Sequence, residues 1–362
     1  MDKALASRKA AFFDLNSRFA QMDNRQLLAL LKGTETRRGW GRNHVVRLGG
    51  RKIFVKRIAV TDLEEQNPYS TKNLFRLPTY YNIGVGSAGM GVNREVTAHI
   101  KTTNWVLEGS CPHFPLLYHH RVLPFDGEHP GFSPEQRARY IKYWNSNKNI
   151  DRYIEARSTA GHEVVLFLEY VPHMLRTWIL RNMDQIDSVI NQMQTAINFL
   201  RRRGIIHFDA NDWNIVTDGR HVYLADFGLV LDRSFDLGKR EIDFFKRHAY
   251  YDGGQFLCCL ALYLRRRYEL LGKRAKARFD ARYGLKEGVN YNERDRILLQ
   301  NIEDAAETLK LEGHYVDLVA KYRDIILLMH DFFYAMSESN RKNAVLDHPR
   351  LRRLLKETGF AD

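Results

Sequence analysis

Three polar residues near the middle of the chain have side chains that could hold a metal ion and move a proton: Asp209, Asn214 and Asp226. Carboxylate and amide oxygens suit Mg²⁺, a hard cation that usually keeps substrate phosphates among its ligands. If Asn214 and Asp226 bind such an ion, Asp209 is left as a base or positioning carboxylate.

A short β-hairpin is predicted between these residues. Apolar residues at 215–216 and 222–224 form its two strands, and Asp218-Gly219 between them has the composition of a tight turn. A tight hairpin brings its two ends together. The sequence therefore predicts that all three polar side chains converge.

Two motifs around this hairpin resemble those of protein kinases. Residues 207–214, HFDANDWN, are similar to the catalytic loop H-R-D-x-x-x-x-N, and residues 226–229, DFGL, are similar to the magnesium motif. The order, the spacing and the intervening hairpin all agree with the kinase pattern. The resemblance implies that Asp209 is catalytic and that Asn214 and Asp226 hold Mg²⁺.

Two positions depart from that pattern. Phe208 replaces the arginine that usually reads a phosphorylated activation loop, so activation by loop phosphorylation is less expected here. Asn211 replaces the lysine typical of serine/threonine kinases, so charge on the transferred phosphoryl group must be met by Mg²⁺ and Lys56. The segment after Asp226 is short and basic, and it lacks an A-P-E motif.

The segment 39–46 resembles the glycine-rich phosphate loop of kinases, G-x-G-x-x-G-x-V. Gly39, Gly41 and Val46 match the motif, and His44 stands in place of its third glycine. Small residues in such a loop let backbone N–H groups approach phosphate oxygens closely. The resemblance implies that Gly39, Gly41 and Val46 contact the nucleotide.

Lys56, in an alternating strand, resembles the lysine that holds the α- and β-phosphates of ATP. The resemblance implies that Glu95, the one acid of a helix predicted over 93–100, pairs with Lys56. Phe54 falls on the same face of the strand as Lys56. Kinases usually have a small residue there, so we expect a crowded or reshaped adenine pocket.

Residues 164–172 resemble the last strand of the first kinase lobe and the hinge that follows it, with Leu168 as the gatekeeper. The resemblance implies that the backbone of Glu169 and Val171 hydrogen-bonds adenine.

Helices are predicted on both sides of the catalytic loop. The apolar stripe over 184–203, ended by Gly204, predicts a helix, and the segment leading from it into the loop resembles protein kinases more than small-molecule kinases. Asp252, before the apolar run 256–260, matches in position the buried aspartate that opens a central kinase helix.

A further glycine motif, G-x-G-x-x-G, lies within residues 83–91. Taken alone it suggests a dinucleotide site, but that site requires a βαβ context, which the surrounding sequence does not provide. We predict instead a mobile loop that precedes a helix and leans over the phosphates, because a helix N-terminus is electropositive.

These matches predict an α+β, two-lobed, protein-kinase-like fold, with an N-terminal antiparallel sheet carrying helix C and a mostly helical C-terminal lobe. Residues 1–33 form an N-terminal helical extension. The first lobe covers 34–171, with insertions at about 59–91 and 126–160, and the second covers 172–362 with C-terminal helices.

Composition sets the broad class. The chain has 362 residues, 44% of them hydrophobic and 27% charged, as in soluble globular proteins. Three cysteines cannot make a disulfide framework, and no stretch approaches a membrane span, so a cytoplasmic location is expected. The formal net charge of +13 allows for an acidic partner, while a nucleic acid partner is not favoured.

The sequence predicts an enzyme that uses ATP and Mg²⁺ to phosphorylate a hydroxyl group. A serine/threonine protein kinase is the first interpretation. A small-molecule phosphotransferase, resembling aminoglycoside and choline kinases, is the alternative, since the missing A-P-E motif and Asn211 both favour it. A pseudokinase that serves as a scaffold is the second alternative.

Overall fold

The computed structural model describes residues 3–38, 42–125 and 132–362. Its N-terminal part is built on one antiparallel sheet. The strands are β1 (Glu35–Arg38), β2 (Arg42–Leu48), β3 (Arg51–Val60), β4 (Leu117–Pro124) and β5 (His162–Glu169). They lie side by side in the order β1-β2-β3-β5-β4.

Strand β3 separates the core from the cavity of the molecule. Ile53 and Val55 are fully buried in the core, while Phe54 and Lys56 line the cavity on the other face. This alternation is what a period of two residues in a strand requires.

Four helices accompany the sheet: α1 (Lys3–Gln21), α2 (Asn24–Leu31), α3 (Asp62–Glu65) and α4 (Val92–Glu108). A capping box precedes α2: Asp23 accepts from the N–H of Gln26 at 2.8 Å, and the side chain of Gln26 accepts from the N–H of Asp23 at 2.9 Å. Helix α4 is the helix predicted to carry Glu95, and it extends eight residues beyond the predicted end at Ile100 to Glu108.

The two predicted insertions pack against each other. The second contains α5 (Pro134–Tyr143) and α6 (Lys148–Ser158). Trp144, which follows α5, is fully buried and lies 6.1 Å from the ring of Tyr80 and 4.7 Å from that of Tyr81. The aromatic residues of the second insertion thus pack against those of the first.

The predicted hairpin is present in the C-terminal part. Its strands are β8 (Ile215–Thr217) and β9 (Val222–Leu224), and β6 (His173–Met174) pairs with β8. The other pair consists of β7 (Ile205–Ile206) and β10 (Leu231–Asp232).

Helices make up most of the remaining C-terminal part. Two of them precede the hairpin, α7 (Leu175–Trp178) and α8 (Ile186–Arg203), and α8 ends at Gly204 as predicted. After β10 follow α9 (Lys239–Arg247), α10 (Tyr251–Leu257), α11 (Ala261–Glu269), α12 (Lys273–Tyr283), α13 (Tyr291–Gln300), α14 (Ile302–Leu309), α15 (Gly313–Ser337) and α16 (His348–Glu357). None of the helices in the described residues is long and apolar enough to cross a bilayer.

Candidate active site

The loop 207–214 is held in place by the first turn of α10. The carboxylate of Asp252 accepts from the backbone N–H of His207 at 2.7 Å and of Phe208 at 2.9 Å. Gln255 accepts from the N–H of Ala210 at 2.9 Å. Asp252 is buried, as its position in the sequence predicts, and its burial raises its pKa to about 6. These bonds hold Phe208 at a φ of 63°, a conformation that a bulky residue rarely adopts.

The ring of His207 ties this loop to Ala225, the residue that directly follows the second strand of the hairpin. Its Nε2 lies 3.0 Å from the carbonyl of Ala225, while its Nδ1 accepts from the N–H of Asp209 at 3.2 Å. Burial lowers the pKa of His207 to about 4, so the ring is neutral and has one nitrogen for each role. His207 therefore positions Asp209 without carrying charge.

The hairpin brings the three predicted polar residues to one cavity. Asn214 donates from Nδ2 to Oδ2 of Asp209 at 2.7 Å, and Asn211 donates to its Oδ1 at 2.7 Å. The N–H of Ala225 donates to the carbonyl of Asn214 at 2.8 Å, which closes the hairpin base next to Asp226. Asp209, Asn214 and Asp226 all line the same cavity.

Lys56 connects the sheet to this cluster. Its Nζ lies 2.7 Å from Oε1 of Glu95 on α4 and 2.8 Å from Oδ1 of Asp226. Burial alone would lower the pKa of Lys56, but the two carboxylates raise it above its ordinary value. Burial likewise opposes ionisation of Asp226, yet Lys56 holds the pKa of Asp226 down to about 2. Burial raises the pKa of Glu95, against the opposing effect of Lys56.

Asp209 has a different electrostatic environment from Asp226. Burial, followed by repulsion from Asp226, raises the pKa of Asp209 to about 7, although the hydrogen bond from Asn214 works in the opposite direction. Two neighbouring carboxylates with separated pKa values are typical of sites where one binds charge and the other exchanges a proton.

Unused oxygens of the cluster fit a Mg²⁺ ion. Oδ1 of Asp226 accepts from Nζ of Lys56 and from the N–H of Gly228, while the amide nitrogen of Asn214 donates to Asp209. Within the described residues, Oδ2 of Asp226 and Oδ1 of Asn214 make no hydrogen bond. Two protein oxygens suit Mg²⁺, which keeps phosphate and water ligands. No cluster of three or more histidine, cysteine or acidic ligands occurs in the described part of the chain.

The cavity above the cluster has a volume of about 610 Å³, in the range of small-molecule sites. Glu169 and Val171 line it, and Phe54 lines it beside them, since Phe54 pairs with Leu168 across β3 and β5. The backbone N–H of Val171 bonds to no other backbone group among the described residues. It is therefore a donor that a ligand can use.

One predicted nucleotide contact is corrected. Val46 is buried in the core, where it pairs with Ile53, and it is Val45 that lines the cavity, opposite Phe54. Because successive side chains of a strand point to opposite faces, Val45 and Val46 cannot both line the cavity. Gly39 and Gly41 lie outside the described residues.

No protein-family model matches this chain, and no curated protein matches it. Among solved structures, it is similar to that of "WaaP in complex with acyl carrier protein". The two chains share 13% identity, and the match covers 82% of this chain and 93% of that one with a TM-score of 0.35.

The glycine segment 83–91 lies directly on the site. A Cβ at Gly84 would come within 2.0 Å of Oδ1 of Asp209, so a side chain there would displace the carboxylate. The segment is fixed to the residues after Asp226, because Met90 donates its N–H to the carbonyl of Gly228 at 3.0 Å and Asn82 donates to that of Leu229 at 2.9 Å. The structure therefore places the segment against Asp209 and Gly228.

The first helix also reaches the site, which the sequence does not predict. Arg8 of α1 binds the carboxylate of Glu169 through Nε at 3.0 Å and through Nη2 at 2.7 Å. It also donates to the carbonyls of Pro112 and Phe114. Spacing along the chain gives no signal for this contact, since 161 residues separate the two partners.

Proposed function

We propose that this protein is a Mg-ATP-dependent phosphotransferase that phosphorylates a hydroxyl group, in a two-lobed kinase-like fold whose lobes are residues 34–171 and 172–362. The observation that carries the proposal is the position of Lys56, which pairs with Glu95 and Asp226 at once. That double pairing joins a sheet lysine, a helix glutamate and Asp226 in one cluster, and the pair of lysine and glutamate is one that phosphoryl transfer in protein kinases requires.

Each residue has a distinct role in the proposed reaction. The backbone of Glu169 and Val171 binds adenine, and Lys56 binds phosphate oxygens. Asn214 and Asp226 hold Mg²⁺, which neutralises charge on the phosphates. Asp209 orients the acceptor hydroxyl and takes its proton, a role that suits a carboxyl group with a pKa of about 7.

The acceptor belongs to one of two classes. A serine or threonine of a protein is supported by the likeness of residues 164–172 and 196–207 to protein kinases. A small hydroxyl compound is supported by the contact of Gly84 with Asp209, because the segment 83–91 takes up space beside the carboxylate. That contact leaves less room for an extended polypeptide, so we favour the small acceptor.

The decisive experiment incubates the pure protein with labelled ATP and Mg²⁺, first with generic proteins and then with a metabolite panel. We expect Asp226→Ala to abolish label transfer while the protein stays folded, because the variant loses a metal ligand and the partner of Lys56. Asp236→Ala, at a carboxylate that is 63% exposed and bound only loosely to Lys72, is the control and keeps full turnover. Full turnover by Asp226→Ala rejects the proposal.

A further inference from the structure

A buried arginine from the second insertion lies at the same cavity. Arg157 is on α6, its side chain is only 9% exposed, and it lines the cavity together with Lys56 and Glu95. A cation is rarely buried unless its charge has a use or a partner. The roles proposed above do not include this arginine.

The orientation of Arg157 is fixed by its neighbour one turn earlier. Tyr153 is buried, its hydroxyl accepts from Nη1 of Arg157 at 3.1 Å, and the guanidinium lies 5.5 Å from the ring centroid. Burial would lower the pKa of Arg157, but Tyr153 and Glu64 raise it above its ordinary value, so the guanidinium stays charged. The cation is thus held ready before any ligand binds.

The guanidinium lies on the side of the cavity next to the residues that follow Asp226. A Cβ at Gly89 would lie 3.9 Å from Nη1 of Arg157 and 3.5 Å from the carbonyl of Gly228. A Cβ at Gly228 would lie 3.3 Å from Oδ1 of Asp226 and 3.3 Å from Oε2 of Glu95. The lack of a side chain at Gly89 therefore leaves open the space between the guanidinium of Arg157 and Gly228, next to the proposed metal and phosphate site.

The charges of the site leave a role for another cation. Asp209, Asp226 and Glu95 are carboxylates around a single lysine, and the ligand proposed here brings further negative charge. Asn211, at the position where kinases have a lysine, is occupied in donating to Asp209. Arginine presents a planar fork of donors that matches phosphate oxygens.

We propose that Arg157 binds the phosphate chain of the nucleotide from the side of Gly89, and that the insertion 126–160 contributes this arginine to the active site. The proposal rests on the function proposed above and adds a residue to it. Gly89 of the segment 83–91 takes part because a side chain there would fill the space between the guanidinium and Gly228.

The test measures the binding of adenosine, ADP and ATP by the full chain carrying Arg157→Met. Loss of a charged hydrogen-bond donor typically weakens binding about 10- to 100-fold. We expect a loss of that size for ATP and a change of less than about 2-fold for adenosine, which lacks phosphates. Arg157→Lys should restore part of the ATP affinity. Arg152→Met, at an exposed arginine of the same helix, is the matched control and should bind like the wild type.

A merely structural arginine gives a different result. In that case Arg157→Met weakens adenosine and ATP equally, or weakens neither, and the proposal is overturned. Should Arg157→Met fail to fold, Tyr153→Phe removes only the hydroxyl that orients the guanidinium, and a loss confined to ATP is still expected. If ATP binding survives in Arg157→Met while Asp226→Ala abolishes turnover, only the assignment of Arg157 fails. A wild-type protein that binds no ATP refutes both proposals.

Discussion

At the scale of single residues, the two aspartates of the site differ because of what surrounds them. Asp226 contacts Lys56 directly, whereas the side chain of Asp209 accepts, among the described residues, from the amides of Asn211 and Asn214. An amide stabilises a carboxylate less than an ammonium does, so Asp209 keeps a pKa of about 7 and Asp226 one of about 2. In the proposed reaction, this difference assigns proton transfer to Asp209 and charge binding to Asp226.

The first prediction concerns the pH dependence of turnover. Asp209 must be ionised to accept a proton, so kcat/KM should rise with pH and level off above the pKa of Asp209, which is about 7 without metal and lower once Mg²⁺ offsets the charge of Asp226. The measurement is kcat/KM between pH 5.5 and 8.5 at saturating Mg²⁺. Asp209→Asn should be slower by about 10²- to 10⁴-fold and lose this dependence. A wild-type profile that is flat over the whole range contradicts the assignment.

The second prediction is the effect of the same residue on stability. Folding raises the pKa of Asp209, so the folded state binds the proton more tightly and stability falls as the pH rises from the ordinary value toward 7. Asp209→Asn removes this ionisation. Its free energy of unfolding relative to the wild type should therefore increase between pH 5 and pH 8, by on the order of 2 kcal/mol. Urea titrations at the two pH values measure it, and a constant difference refutes it.

Sequence motifs predicted those site residues whose positions follow from a motif and the hairpin beside it. Asp209, Asn214 and Asp226 converge because a hairpin of fixed geometry joins them. The error at Val46 came from counting along a motif, whereas the face of a strand changes with every residue. Arg157 joins the site through tertiary packing, for which spacing along the chain carries no signal, and the glycine motif at 83–91 did not reveal the contact of Gly84 with Asp209.

At the scale of elements, the segment 83–91 differs from the mobile loop predicted from its glycines. Hydroxyl groups of the second insertion fix it, since Tyr143 donates to the carbonyl of Val85 at 2.6 Å and Tyr140 to that of Gly86 at 3.1 Å. Ser87 and Ala88 are buried. The segment therefore forms a wall of the site, and its glycines permit close contact with Asp209 and Gly228.

The third prediction tests that wall. Gly84 does not have a positive φ, so alanine is tolerated by the backbone, but its Cβ would come within 2.0 Å of Oδ1 of Asp209. Gly84→Ala should displace the carboxylate and lower kcat by about 10-fold or more, since small misplacements of a reacting group are costly. Turnover and the melting temperature measure the effect. Gly161→Ala, where no atom lies within 4 Å, is the control. Equal turnover in both variants contradicts the contact.

The sequence predicted α8, and it made no prediction for α9 or α12. The apolar stripe of α8 has seven buried positions, and Asn198 is the one polar residue buried beside them. Helix α12 buries only Phe279, so its sequence shows no periodic face. In α9 the buried residues are Phe244 and Glu241. Glu241 forms an ion pair with Arg94 at 2.8 Å. Arg94 is distant along the chain, so no local sequence pattern reveals this partner.

At the scale of the whole molecule, ion pairs link the sheet part to the helical part around the site. Arg94 and Lys101, both on α4, pair with Glu241 and Asp232 at 2.8 Å and 2.6 Å. Helix α4 also carries Glu95, so these pairs help to keep Glu95 within reach of Lys56. The position of α4 therefore couples the packing of the two parts to the geometry of the site.

The last prediction concerns Arg8, which joins three regions of the chain. Besides Glu169 of the hinge and the carbonyls before β4, its guanidinium lies 5.0 Å from the ring of Tyr223 in the hairpin. The side chains of Arg8 and Glu169 are only 11% and 16% exposed. Removing one partner of such a pair leaves a poorly solvated charge.

We therefore expect Arg8→Ala to lower the free energy of unfolding by about 3 kcal/mol, and to weaken ATP binding because the hinge loses its support. Arg18→Ala, at a surface pair within α1 that is 51% exposed on the arginine side, should change stability by less than about 0.5 kcal/mol. Chemical denaturation and nucleotide titration measure both effects. If Arg8→Ala lowers the free energy of unfolding and ATP binding no more than Arg18→Ala does, the contacts of α1 with Glu169 do not support the fold or the site. If the double variant Arg8→Ala, Glu169→Gln recovers stability, the loss arises from the stranded carboxylate, as the geometry requires.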